Sequence, residues 1–383
     1  MSKHLLPFFD QDHAALSERA HKWVEEKLFS PLGRESVVDE RAVRLARDLG
    51  AEGFLKYTVP QAFGGMRNTV EARDLCILRE ELARGDALAD TMFAMQALGS
   101  YPITLAGSEL QKRNYLPKVA SGAAIAAFAI SEPEAGSDVA SMQTQAVWRD
   151  NKFSISGTKR FISNAGIADF YVVFASTAPR KKAKGVSAFI VDAATGGIVV
   201  REKIAMLSPH PIGVIELDNC IVDEDARLGK EGEGLQIAFA TLDLLRCTVG
   251  AAAVGLAQRA LDEAVRYSKT RRQFGRVLAE FQGIEFKLAK MATQLEAARL
   301  LVYQAAWAHD CAGNDSKLKS SMAKFYATEA AQRIVDQALQ IHGAAGLIAG
   351  SIMERLYRDV RALRIYEGTS EIQKVIIARE LLK

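Results

Sequence analysis

The apolar spacing of this chain changes twice, and those two changes constrain its fold more than any other feature. Up to about residue 122 apolar residues recur at helical intervals. Leu16, Ala20, Trp23 and Val24 form one such set, with Asp10 placed to cap their helix, and Val43, Ala46 and Leu49 form another. From there to about residue 230 the segments are short, rich in Val, Ile and Phe, and divided by Gly or Asn turns. Phe153-Ser154-Ile155-Ser156 alternates as a half-buried strand does. After Gly234 the strands stop and long Ala-rich segments follow, with Leu288, Met291, Leu295 and Ala298 on one face. Blocks of helices, strands and helices predict an α+β protein. Its expected domains are an N-terminal all-α domain (residues 1–122), a middle β-domain (123–230) and a C-terminal helical bundle (231–383). Within the first block a helix is expected from Ala87 to Leu98, ending near Gly99, with Asp90 as a cap or, alternatively, as an acid facing a pocket.

Several classes of function are disfavoured at once. The 49 basic and 46 acidic residues nearly cancel, giving +3, so broad electrostatic capture of nucleic acid is not expected. Cys76, Cys220, Cys247 and Cys311 lie far apart with no CxxC pair, which argues for free thiols in a reducing compartment. The longest apolar run, residues 123–130, falls far short of a bilayer span, and no apolar leader opens the chain. A cytoplasmic protein without membrane contact is the expectation. No GxGxxG follows a strand, and neither GxSxG nor a P-loop occurs.

Five short stretches offer chemistry, and each has a plain alternative. Residues 127–138 contain Phe128, Ile130, Ser131 and a Gly136-Ser137 pair that lets backbone approach a ligand; a strand and turn explain them equally. In residues 157–166, Phe161 suits a flat ring and Ser163 a ring nitrogen, but a hairpin aromatic in a core reads the same way. Arg271, Arg272, Gln273 and Phe274 sit between two long helices, where paired arginines suit a diphosphate or simply a helix C-terminus. Gln340, Gly343 and Ala344 follow a helix, as a C-cap would. Tyr366-Glu367-Gly368-Thr369 sets an acid just before the terminal helix, where a carboxylate also favours the helix dipole.

In order and spacing the five together resemble the acyl-CoA dehydrogenases, over essentially the whole chain. The resemblance implies a β-barrel or sandwich in the middle and four helices at the end. It also implies FAD as cofactor, a homotetramer built as a dimer of dimers, and transfer of electrons to an electron-transferring flavoprotein. By the same likeness Phe128, Ile130, Ser131, Phe161 and Ser163 match contacts to the flavin ring region, and Ser137 a pyrophosphate or CoA contact. Arg271, Gln273 and Phe274, and likewise Gln340, Gly343 and Ala344, match stretches given to the FAD of a neighbouring subunit. Thr369 and Glu371 match a further FAD contact. Asp243 and Arg246 match the pair near the CoA chain and the base, while Met95, Tyr366 and Gly368 match the substrate site. Glu367 matches the base. The family's other base position is held here by Leu245.

The implied reaction is α,β-dehydrogenation of a short- or medium-chain or otherwise unusual acyl-CoA in fatty acid metabolism. Rival readings are an enoyl-thioester reductase, a dehydrogenase of carrier-protein thioesters, and a flavin-holding nucleic-acid-binding stress protein. The sequence departs from the family pattern in three places. Phe161 replaces a tryptophan, Ala344 a glycine, and the Ser and Thr of the strand entering the last part of the β-domain have become His210 and Ile212. His210 reads as a ligand contact or a surface residue, with the surface reading preferred.

Overall fold

The computed structural model describes residues 7–29, 37–312 and 316–383. Helices α1 (Gln11–Lys27), α2 (Val38–Ala51), α3 (Ala72–Gly85), α4 (Ala87–Ala106) and α5 (Glu109–Ala120) come first. Strands β1 (Ala126–Ala129), β2 (Gln145–Arg149), β3 (Lys152–Ser163), β4 (Phe170–Ser176), β5 (Val186–Asp192), β6 (Ile198–Lys203), β7 (Ile212–Asp223) and β8 (Arg227–Leu228) follow. Helix α6 (Gly234–Thr270), a hairpin of β9 (Arg272–Gln273) and β10 (Arg276–Val277), then α7 (Gln282–Trp307), α8 (Ser316–His342), α9 (Ile352–Ala362) and α10 (Ser370–Leu381) complete the chain. The expected helix, strand, helix order is the observed one. Two compact units result. One gathers the described residues of 1–33, 71–90 and 243–383, and the other those of 34–70 and 91–242.

In the first unit α3 belongs with the C-terminal helices, packing on α1 and α7, while α8 carries α7, α9 and α10. Small residues allow that packing. A Cβ on Gly255 of α6 would stand 2.1 Å from the Glu80 carbonyl oxygen of α3, so the two backbones touch only because this residue is glycine. The most apolar stretch of α6 would suffice to cross a bilayer, yet 78% of it is buried inside the protein, as a core helix is. Asp10 caps α1 as expected, its Oδ1 accepting from the N–H groups of Asp12 and His13 at 3.1 and 3.2 Å. Helix α3 has no such local cap. Instead Asp310, in the π-helical turn after α7, accepts from the N–H groups of Ala72 (2.7 Å) and Arg73 (3.0 Å) and from Arg73 Nε (3.0 Å). A carboxylate brought from 237 residues away satisfies the orphan donors of that helix end.

The second unit is organised by one mixed sheet in the order β6-β7-β3-β2-β4-β5-β8, with β1 beside β4. The strand pairs are antiparallel except β1–β4 and β2–β4. The alternation read at Phe153 and Ile155 places both in a core with Tyr171, Val173, Phe189 and Leu217. Helix α4 overruns its expected end at Gly99 and continues through Pro102 to Ala106. Gly99 is needed there for closeness rather than termination, since a Cβ would meet that of Ala126 at 2.6 Å. Replacing Asp310 by Ala should remove the cap of α3 and lower unfolding free energy by about 2 kcal/mol. Denaturant titration checks this, with Asp336→Ala on the exposed face of α8 as the control that moves little.

Candidate active site

The turn between α9 and α10 holds Glu367 in a left-handed backbone conformation (φ +52), followed by Gly368 (φ +85). A non-glycine residue at such φ costs of order 1 kcal/mol or more and needs outside support. That support is visible. Thr369 caps α10 by accepting from the Ile372 N–H at 3.3 Å, Gln373 Nε2 donates to the Gly368 carbonyl at 2.9 Å, and the Ser370 N–H to that of Arg364 at 3.0 Å. Lys324 of α8 is wholly buried and donates from Nζ to the carbonyls of Tyr366 (3.1 Å) and Gly368 (2.6 Å), on either side of Glu367. Burial lowers the Lys324 pKa to about 8, against the opposing pull of Glu367.

The carboxylate thus presented is itself under-bonded. The Glu367 side chain is 12% exposed, and among the described residues its Oε2 is buried without a hydrogen-bond partner. Its Oε1 lies 4.0 Å from Arg79 Nη1, beyond hydrogen-bond reach. Burial drives its pKa upward and nearby Asp90 does the same, while Arg79, Lys324 and Arg246 pull downward; the net shift is up. Arg79 gives Nε and Nη2 to the two carboxylate oxygens of Asp90 at 2.8 and 2.9 Å, and Nη1 to Thr248 Oγ1 at 2.9 Å. Arg246 Nη1 binds Asp243 Oδ1 at 2.5 Å.

Asp90 therefore does not cap α4. Asp86 does, accepting from the N–H groups of Leu88 (2.7 Å) and Ala89 (3.2 Å), because the helix begins one turn before Asp90 and leaves it facing α3. Arg79, Thr248 and Lys324 escaped the sequence reading. For Lys324 the signal is a charge on an otherwise apolar face, since it shares its buried face with Ala327 and Ala331.

The expected flavin-ring residues lie in the second unit. The β3–β7 register slips between Lys159 and Ile162, and this bulge turns Phe161 outward at φ +59 and 52% exposure. Arg160 N–H donates to the Ser131 carbonyl at 2.9 Å, tying the bulge to the segment carrying Ile130 and Ser131. A buried pair fixes the same segment. Lys159 Nζ binds Glu132 Oε1 at 2.8 Å and the Ile130 carbonyl at 3.3 Å, and Glu132 also accepts from the Gln143 and Thr144 N–H groups. Phe128 and Ile130 are buried, Phe128 against Phe174, and Met95 of α4 is buried too. Ser137 is exposed. His210 is half-buried: the run before β7 reaches the end of β3, putting His210 Nε2 3.3 Å from Ser163 Oγ and Nδ1 3.0 Å from the Ser208 carbonyl. Burial keeps its pKa below the usual value.

A third group stands in solvent on the first unit. Phe274 tips the β9–β10 hairpin at 92% exposure and φ +50, with Arg271 and Gln273 exposed beside it. Gln340, Gly343 (φ +58), Ala344 and Glu371 are exposed as well.

Residues 10–123 match the acyl-CoA dehydrogenase N-terminal domain, 127–220 the middle domain and 232–382 the C-terminal domain. The chain belongs to the acyl-CoA dehydrogenase family. It is similar to an acyl-CoA dehydrogenase of Bacillus subtilis (strain 168), 43% identical over 347 residues that cover 90% of this chain and 91% of that one. It is 36% identical over 381 residues to the caffeyl-CoA reductase–Etf complex subunit CarC of Acetobacterium woodii, covering 98% and 100%. Among solved structures, butyryl-CoA dehydrogenase from Megasphaera elsdenii superposes with a TM-score of 0.90 at 33% identity, covering 98% and 99%.

As a member of that family the chain is an oxidoreductase that uses FAD. Each unit holds residues that fit that cofactor: in the second, Phe161 turned out by a bulge and the Ser163 hydroxyl at the end of β3 suit a flat ring; in the first, Arg271 with Gln273 suits a diphosphate. Replacing Lys159 by Met should strand the buried Glu132 charge and cost about 3–5 kcal/mol. Adding Glu132→Gln should recover part of that loss, as read from denaturant unfolding midpoints.

Proposed function

We propose that this oxidoreductase removes the α-proton of an acyl-CoA with Glu367 and delivers the β-hydrogen as hydride, giving the trans-2-enoyl-CoA. One observation carries the reading: Glu367 is a buried carboxylate with an unpartnered oxygen, held in a supported left-handed turn. A carboxylate at its ordinary pKa is a weak base for a carbon acid. Burial raises its proton affinity, and a missing hydrogen bond leaves a lone pair free to accept. Bound FAD supplies the hydride acceptor. Phe161, Ser131 and Ser163, with Phe128 and Ile130 behind them, orient the ring. Arg271, Gln273 and Phe274 of one copy, with Gln340, Gly343 and Ala344, reach the cofactor of another; Thr369 and Glu371 touch it near the turn. An aromatic residue 92% exposed in a single chain is the support for a neighbouring copy, and the family likeness supports a homotetramer. Met95, Ser137, Tyr366, Gly368 and the Asp243–Arg246 pair contact the acyl-CoA, and Arg246, beside the base, helps orient it.

An electron-transferring flavoprotein is the proposed redox partner and the cytoplasm the proposed location. Support for the partner comes from a relative whose name includes an Etf complex. That name also supports a second reading, in which the same residues run the reaction in reverse and reduce an enoyl-CoA.

Anaerobic addition of single acyl-CoAs to the yellow protein distinguishes the two readings. Bleaching by a saturated acyl-CoA is expected for the dehydrogenase. Re-oxidation of reduced protein by an enoyl-CoA, with no bleaching by any saturated one, would favour the reductase. Glu367→Gln should keep FAD but lose at least about 10²-fold in bleaching rate. The unprotonated carboxylate is the active form, so wild-type kcat/KM should rise with pH through the Glu367 pKa. The midpoint should lie above the ordinary carboxylate range, with activity lost as pH falls below it.

A further inference from the structure

Among the described residues, Lys324, Arg246 and Arg79 lie close enough to act on Glu367, yet each is engaged elsewhere. Lys324 gives hydrogen bonds to two carbonyls, Arg246 is tied to Asp243, and Arg79 is gripped by Asp90 and Thr248. Arg79 is the one with a route to the carboxylate. Its Nη1 is 4.0 Å from Glu367 Oε1, and a guanidinium binds a carboxylate best with two parallel N–H groups. Asp90 now occupies that fork through Nε and Nη2.

We propose that Asp90 is a positioning residue for the base: by holding Arg79 in a two-pronged pair, it keeps the guanidinium from closing onto Glu367 and quenching it. The inference rests on the reading of Glu367 as the base. Arg79 and Asp90 are both buried, so a guanidinium released from Asp90 is not compensated by water. The uncompensated carboxylate within reach is Glu367. A direct Arg79–Glu367 pair would satisfy the lone pair needed for the α-proton and lower the proton affinity of the base. The charged and titratable groups facing Glu367 are Arg79 on α3, Asp90 on α4, Arg246 on α6, Lys324 on α8 and Tyr366 in its own turn.

The test uses the FAD-loaded protein and two readouts. An infrared titration follows the carbonyl stretch of protonated Glu367, assigned by its absence in Glu367→Gln. The pH dependence of anaerobic bleaching by butyryl-CoA gives the second. In Asp90→Asn, Glu367 should lose about tenfold or more in proton affinity, so its titration and the acid limb of bleaching both move to lower pH. The bleaching rate above that limb should fall about tenfold. Adding Arg79→Gln to Asp90→Asn should move the titration back up. If Asp90→Asn does not fold, Thr248→Val releases Nη1 alone and should give a smaller shift of the same sign. An unmoved titration in folded Asp90→Asn, or the same shift with and without Arg79, overturns the proposal. Should Glu367→Gln still bleach, the base assignment fails instead, while the infrared titration still reports what Asp90 does to Glu367.

Discussion

Helix α3 carries Asp74, Arg79, Glu80, Glu81 and Arg84 out of water, and its unit is arranged around meeting those charges. Asp74 faces His13 of α1 at 3.6 Å, and Glu81 is bound by Arg84, which also reaches Glu25. Glu80 accepts from Arg299 (3.2 Å) and Tyr303 (2.6 Å) of α7, while Arg79 holds Asp90 and Thr248. Breaking one buried pair costs several kcal/mol, because the survivor is left charged in a poor solvent. Such pairs fix where α3 sits and how it is rotated. The close approach of α6 at Gly255 and the Asp310 cap act on the same helix from its side and its end. A guanidinium poised 4.0 Å from Glu367 is one consequence of that fixed placement.

The turn bearing Glu367 shows the complementary choice. Its carboxylate keeps one buried oxygen without a hydrogen-bond partner among the described residues. Its neighbours are used on the backbone: Lys324 and Gln373 bond carbonyls of the turn and leave the acid alone. Strain in φ, a desolvated carboxylate and engaged cations all raise the energy of the free site, and well-paired helices around it keep it in place.

How much of this was legible beforehand follows from the range of each interaction. The switch of apolar period at residues 122 and 234 gave the helix, strand, helix order, because burial of one face is a local property of sequence. Asp10 as a cap was legible for the same reason, since its partners are two and three residues away. The end of α4 is not legible at Gly99, because that glycine answers to the close approach of Ala126, not to its own helix. The ion pair of Asp90 and the hydrogen bond of His210 are not legible locally, because their partners, Arg79 and Ser163, lie 11 and 47 residues away. The roles of Lys324 and Lys159 are not legible, because nothing near them in sequence says that a lysine on an apolar face has carbonyls or a glutamate waiting. Glu367 stands out in the sequence by likeness to a family, and its physical case rests on the unpartnered oxygen.

The central claim concerns which atom meets the α-hydrogen of the substrate. A crystal structure of the FAD-loaded protein with a non-oxidisable acyl-CoA analogue bound measures this directly. The account predicts a Glu367 carboxylate oxygen about 3–3.5 Å from the α-carbon, with Arg79 still paired to Asp90. An α-carbon facing a different acid, or Glu367 closed onto Arg79 and turned from the thioester, would contradict it.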